Sequence, residues 1–423
     1  MPHVRTCLSL LGAGSLLLAG YADGDPFLGQ HLLYLSSYAH IEAKAFDGVR
    51  IWGNAGTIWR DIEPVRGQFD FSRMDGLVAA AGARKLDVIH TLGQTPFWAS
   101  SRPWEIGNMG FGAAAPPKNM NDWSDYVSQV VNRYRDRIGA YEVMNEPRVP
   151  EVVRAISPGF YSGSTAQLVE MTLRVQEAVR KNAPAAKVIC PAMDGETGPA
   201  RLQYFLALGG GKYCDVIGFH FYLAHQSVAD YRSLLGRVRA AMKQNGIGDK
   251  PIWDTETGMM VAQSGYNVRP REPTGPLSVV YGDTEAARHM AKQVLAALQG
   301  GVARTYWFAH DSSSMGSTLP DKNTGELNAL GVAYRTLRTW LGGTTLGVCT
   351  VGDALGDCSL MRGQQRYARI VWGEHDSRTS LMAGKVRRLA LLDGSMRNVA
   401  DLTSDDQPDT LSNHFQDPML LVY

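Results

Sequence analysis

The chain has 423 residues, 44% of them hydrophobic, and its 42 basic and 41 acidic side chains leave a formal net charge of +1. That length suits one large α/β domain of about 250 to 350 residues plus something smaller. The apolar content supports a large core and excludes global disorder. Balanced charge provides no concentrated basic surface, so nucleic acid is not an expected partner. Nine Trp and seventeen Tyr are a generous supply of flat aromatic faces.

The first 25 residues, MPHVRTCLSLLGAGSLLLAGYADGD, place Arg5 ahead of a Leu/Gly/Ala-rich run from Cys7 to about Gly20. This pattern matches a secretory signal peptide with a cut after Ala22. The run is short for a membrane span, which needs about 20 apolar residues, although an uncleaved anchor holding the protein at a membrane is the alternative. The expectation is an exported protein, periplasmic or secreted, in which disulfides can persist. Cys349 and Cys358 are the expected pair, closing a short loop around GDALGD. Cys190 and Cys214 read as buried thiols, and no cysteine spacing matches a zinc site.

Eight short apolar runs then alternate with helical patterns: 29–36, 48–54, 86–93, 140–146, 186–193, 215–222, 250–256 and 304–310. Between them, apolar residues recur every three or four positions over 122–138, 165–182, 228–246 and 284–301, and again over 329–343. Asp122 and Thr165 are the expected N-caps, and Gly246 and Gly300 the expected stops. Eight βα units predict an α/β fold, a (β/α)8 barrel over 23–343. A doubly wound sheet is the alternative, but no Gly-rich phosphate loop follows the first strand. Short β-like runs separated by Gly, Asp and Ser predict an accessory antiparallel β-domain over 344–423. The Pro-rich stretch 266–283 follows the seventh strand, where a barrel places substrate-facing loops.

Barrel enzymes carry their chemistry at the C-terminal ends of the strands. Those ends are Arg50, Asn145 with Glu146, His220 with Tyr222, Glu256 and Trp307. Two glutamates facing a common mouth suit glycosidic bond cleavage, which needs one proton donor and one carboxylate at the anomeric carbon. The chain has no G-x-S-x-G elbow, no H-E-x-x-H and no cofactor fingerprint. Asp254 shares a strand face with Glu256 by the period of two and is the competing nucleophile. Glu63, in DIEPVRG, reads as a structural turn carboxylate. His220 and Tyr222 alternate with Phe219 and Phe221, so one pair faces the lumen and the other the helices. Trp307 is the candidate sugar platform, with Trp98 and Trp52 weaker ones.

VRIWGNAGTIWRDIEPVRGQFDFSRMD, TLGQTPFWAS, YEVMNEP, FHFY and WDTETG, in that order, resemble glycoside hydrolase family 39, within clan A of the retaining barrel glycosidases. The resemblance covers most of residues 29–340, and the modest length is similar to that of the bacterial members linked to exopolysaccharide clusters. It implies that Glu146 is the acid/base, Glu256 the nucleophile, and an oligo- or polysaccharide the substrate, with no cofactor or metal. Arg50 and Tyr222 would hold Glu256 ionised, and Asn145 would bind the sugar 2-OH. A transglycosylase on the same residues, a β-xylosidase-type exo-enzyme and a catalytically silent glycan-binding barrel are the other readings.

Overall fold

A computed structural model describes residues 26–41, 45–152, 158–223, 225–263, 267–270, 277–312, 314–321, 324–373, 386–399 and 416–423. The N-terminal apolar stretch lies outside the described residues, as do 266 and 271–276 of the Pro-rich loop. Eight parallel strands form the barrel: β1 Phe27–His31, β2 Gly48–Ile51, β3 Asp87–Leu92, β4 Ala140–Val143, β5 Lys187–Ile189, β6 Ile217–His220, β7 Ile252–Thr257 and β8 Val302–Trp307. Each pairs in parallel with its neighbours, and β8 returns to β1. β5 is split: Lys187–Ile189 pairs with β4, and a short continuation, Met193–Asp194, pairs with β6. A parallel bridge between Ile189 and Val216 closes the seam. The closed parallel barrel decides against a doubly wound sheet.

Among the described residues, seven helices of ten residues or more pack around it: α1 Ser72–Ala83, α2 Met120–Tyr134, α3 Thr165–Asn182, α4 Gly198–Ala207, α5 Val228–Gln244, α6 Asp283–Gln299 and α7 Ala329–Leu341, with a single helical turn, Trp59–Ile62, ahead of α1. Between β1 and β2 the described residues hold a 3-10 turn, Leu35–His40. The N-caps differ from expectation. Asn119 caps α2, and Ser164 forms a capping box with Gln167 on α3. Both stand where a short side chain can accept from a free amide of the first turn. Asp122 is instead buried in the first turn of α2 and accepts from Arg66 at 2.7 Å. Gly246 follows α5 with φ of +71°, the left-handed conformation of a helix stop.

The lumen has two layers. Ile89, Ala140, Ile189, Val216, Trp253 and Tyr306 form one buried apolar cluster inside the barrel. Tyr306 reaches over Gly29, where a Cβ would meet its ring at 2.3 Å, so this position has room only for glycine. Above that floor, strand residues turn charged and polar, and there the candidate site begins.

Beyond α7, six antiparallel strands form one sheet in the order β9 Thr345–Val351, β10 Gly356–Arg362, β11 Gln365–Trp372, β14 Met419–Val422, β12 Arg388–Ala390 and β13 Met396–Asn398. The sheet touches the barrel through Asp353, whose carboxylate accepts from Val228 N at 2.7 Å at the start of α5. The Asp353 carbonyl accepts from Lys292 of α6 at 2.7 Å. Cys349 and Cys358 are bonded, and so are Cys190 and Cys214. The second pair corrects the reading of two free thiols. Cys190 follows β5 and Cys214 precedes β6, and Cys190 N donates to Val216 O at 2.9 Å, which brings the two segments together across the barrel seam.

Candidate active site

Five strands deliver the site. Arg50, fully buried on β2, is its hub. Its Nη1 donates to Glu256 Oε2 at 2.7 Å and its Nη2 to Asn145 Oδ1 at 2.8 Å. Its Nε donates to Glu142 Oε2 at 2.8 Å, and Nη2 makes a second contact with the same oxygen. Thr91, on β3, donates to that oxygen too, at 2.7 Å. Tyr222, just past β6, donates its hydroxyl to Glu256 Oε1 at 2.7 Å. His220 Nδ1 lies 2.8 Å from Glu146 Oε1. One side-chain ligand atom each from Glu146, His220 and Glu256 lie within 4.8 Å of one another, so the carboxylates face each other across the mouth.

Local backbone geometry aims these groups. Met144 and Glu146 have φ of +58° and +41°, uncommon for residues with a Cβ and a sign of backbone held in place by its surroundings. Glu146 N donates to Ala192 O at 3.1 Å. Arg201 of α4 donates to Pro147 O at 2.8 Å and to Asp194 Oδ1 at 2.6 Å, pinning the Asn-Glu-Pro turn to the β5 continuation. On β7 the register shifts between Asp254 and Glu256, which oppose Phe219 and His220. This bulge breaks the period of two. Asp254 therefore turns outward toward the backbone of Phe221, whose N–H lies 3.5 Å from its Oδ1, while Glu256 turns into the lumen. Asp254 is thereby removed as a competing nucleophile, contrary to the alternation argument. Phe219 and Phe221 pack together outside, at 4.8 Å between ring centroids.

Electrostatics separate the two glutamates. Burial, then the nearby Asp194 charge, pushes the Glu146 carboxyl up to about 8. Burial raises Glu256 as well, against the downward pull of the Arg50 guanidinium and the Tyr222 hydroxyl. Glu256 receives two donors that favour its charged form, whereas Glu146 shares one imidazole contact, so of the two Glu256 is the one better held as a carboxylate. Burial keeps His220 below the usual imidazole range and hence neutral. Burial alone would raise Glu142, but Arg50 more than offsets it and holds the carboxylate below its ordinary range. Glu146, His220 and Glu256 have the spacing of a cation site. The Arg50 guanidinium at 2.7 Å from Glu256 opposes a metal there.

Arg50, Asn145, Glu146, His220, Tyr222 and Glu256 thus come together as expected. Trp307 does not serve as a platform. It is 2% exposed, and its indole N–H donates to Ser317 O at 3.1 Å. The next residue, half-buried Phe308, stands edge-on to His31 at 5.2 Å between centroids, and His31 Nε2 is 4.0 Å from Glu256. Trp98 is engaged elsewhere, with its indole N–H on Glu63 O at 2.9 Å and Arg66 over its ring at 4.9 Å. Glu63 is structural, accepting from Trp59 Nε1 and Gly67 N, each at 2.8 Å. Sequence reasoning missed Glu142, Thr91 and His31. A carboxylate inside the apolar run AYEV was the available signal for Glu142, since a buried charge requires a partner.

The fold resembles that of known carbohydrate-cleaving enzymes. A profile of glycosyl hydrolase family 10 matches residues 29–189, which include Glu146 but not Glu256. A family 39 glycoside hydrolase from the gut symbiont Bacteroides cellulosilyticus WH2 superposes with a TM-score of 0.66 at 15% identity, over 94% of this chain and 81% of that one. A GH39 β-xylosidase from Caulobacter crescentus gives 0.59 at 19% identity, over 84% and 79%. A GH30 endoxylanase from Clostridium papyrosolvens C71 gives 0.55 at 12% identity, over 96% and 98%. No curated protein sequence matches the chain. The resemblance to family 39 seen in the motifs thus extends to the three-dimensional fold.

Proposed function

We propose that the protein is a retaining glycoside hydrolase of β-linked glycosides, with Glu256 as nucleophile and Glu146 as acid/base. The observation that carries this is the facing pair of carboxylates with ligand atoms within 4.8 Å, one protonated by its surroundings and one charged. Retaining enzymes hold the two carboxyl groups about 5 to 5.5 Å apart, inverting ones about 6.5 to 9.5 Å, and the close spacing supports the retaining class. Glu256 attacks the anomeric carbon as Glu146 gives its proton to the departing oxygen, and a glycosyl ester forms. Glu146, now a carboxylate, takes a proton from water. The resulting hydroxyl bonds to the anomeric carbon, Glu256 leaves as a carboxylate, and Glu146 is again protonated. Asn145 spends its carbonyl on Arg50, which leaves its NH2 to meet a sugar hydroxyl.

For the substrate we favour a polysaccharide, with xylan and bacterial exopolysaccharides the first to try. The similar β-xylosidase and endoxylanase folds and the modest length support that choice. An exported location is supported by the Arg5-led apolar stretch and by the two disulfides. Among the described residues, no helix is long and apolar enough to cross a membrane.

The test uses two variants and azide with an activated β-aryl glycoside. In Glu146→Ala the glycosyl-enzyme should accumulate, and azide, needing no base, should restore turnover and give a β-glycosyl azide. In Glu256→Ala azide should fill the vacated space and give the α-azide. General-base help is worth roughly 10²- to 10⁴-fold, so rescue stands above background. Swapped configurations by NMR would reverse the roles, and full activity in either variant would remove the pair from the chemistry. Absence of new reducing ends from any polysaccharide, with binding intact, would favour a silent glycan-binding barrel.

A further inference from the structure

The loop from β3 to α2 holds three large rings in the open. Phe97, Trp104 and Phe111 are 46%, 75% and 52% exposed, and Ile106 beside them is 67% exposed. Such clustered apolar exposure is uncommon on a folded surface and marks a contact site. The rings are mutually placed: Phe97 and Trp104 lie 4.9 Å apart at 81°, and Trp104 and Phe111 6.3 Å apart at 73°. Their loop is firmly built. Gly112 N donates to Glu105 O at 2.7 Å, Ser100 Oγ to Gly112 O at 2.9 Å, and Lys118 N to Ala99 O at 2.7 Å.

The patch belongs to the mouth of the barrel, because its loop leaves the C-terminal end of β3. A continuous run of contacts links it to the carboxylates. Arg50 lies 6.0 Å from the Trp52 ring, and Trp52 meets Phe160 edge-on at 5.6 Å. Gly159 O, next in the chain, accepts from Asn108 N at 2.9 Å, in the hairpin that carries Trp104 and Phe111 at its flanks.

We propose that Phe97, Trp104 and Phe111 form a remote glycan-binding site, which holds the polysaccharide chain several sugar units from the bond cleaved between Glu146 and Glu256. Near-perpendicular rings present separate faces, each suited to one pyranose ring, where a protein partner would need a continuous apolar surface. Arg102 and Glu105, which flank Trp104 in the chain, are bonded to each other and to Ser162, which helps fix the loop that carries the ring. The assignment rests on the glycosidase reading for the identity of its ligand and makes the substrate polymeric.

The test is affinity electrophoresis of the intact chain in native gels containing xylan, barley β-glucan, glucomannan, carboxymethylcellulose or alginate. Wild type should be retarded in at least one gel. Trp104→Ala should bind that polymer roughly tenfold more weakly or worse, as for a lost aromatic anchor. Val348→Ala, a matched change of a residue 84% exposed on the C-terminal sheet, should bind as wild type. Thermal melts of each variant establish folding, which an exposed ring should not affect. Failure of wild type to be retarded by any of the polymers overturns the proposal, as does equal retardation of Trp104→Ala. So does a Trp104-dependent shift in sedimentation without a change in retardation, which assigns the patch to a second copy of the chain. Retardation without release of reducing ends would defeat the hydrolase reading while leaving the glycan site standing.

Discussion

Glu146 keeps its proton because it is buried beside Asp194, and that has a kinetic signature. In its proposed role as general acid Glu146 works only while protonated, so kcat/KM should fall as pH rises through about 8, the value to which it is pushed. The acid limb should belong to Glu256, which must be ionised to attack. A pH–rate profile on an activated glycoside checks both, and the alkaline limb should vanish in Glu146→Ala with a substrate whose leaving group needs no proton. Arg50 is the residue whose loss should be felt most widely. Arg50→Ala leaves the Glu142 and Glu256 carboxylates buried without their cation, a change that costs about 3 to 5 kcal/mol. Chemical denaturation should register that loss, and Arg50→Lys should recover little of it, since one ammonium cannot reach Glu256, Asn145 and Glu142 together. Arg50, Asn145, Glu146, His220, Tyr222 and Glu256 were legible because strand polarity alone collects them at one mouth. Glu142 was hidden because its value lies in a partner from a strand ninety-two residues away. Trp307 was misread because composition cannot tell a ring on the lumen from one behind it.

At the scale of elements, alternating apolar runs and helical periods were enough to place all eight strands, since burial of both sheet faces leaves a repeated imprint on the chain. Their ends were less legible. Caps depend on which side chain reaches a free amide, and at α3 this is Ser164 rather than Thr165. Ser164→Ala should lower stability by about 1 kcal/mol, read as a drop in Tm, with the fold retained. The bulge on β7 was beyond reach of a pattern argument: a period of two assumes regular pairing and keeps both carboxylates on one face, whereas one extra residue brings Glu256 into the lumen and leaves Asp254 behind it.

For the whole molecule, the bond between Cys190 and Cys214 spans a separation of 24 residues and encloses α4 at the barrel seam. On the chain-entropy view such a closure is worth about 3 to 4 kcal/mol. Cys214→Ser should reduce unfolding stability by that order, measured in denaturant without reductant. Because Asp353 of the terminal sheet ties down the start of α5 and the side of α6, barrel and sheet should still unfold in one transition. The apolar floor of the lumen, from Ile89 to Tyr306, has a consequence for traffic. A barrel stopped at its base has a single doorway. Departing alcohol and arriving water must use it in turn, and a waiting sugar competes with water for the same berth. If the protein acts as proposed, the time the first product lingers there should set how often water, and how often another sugar, takes the glycosyl group.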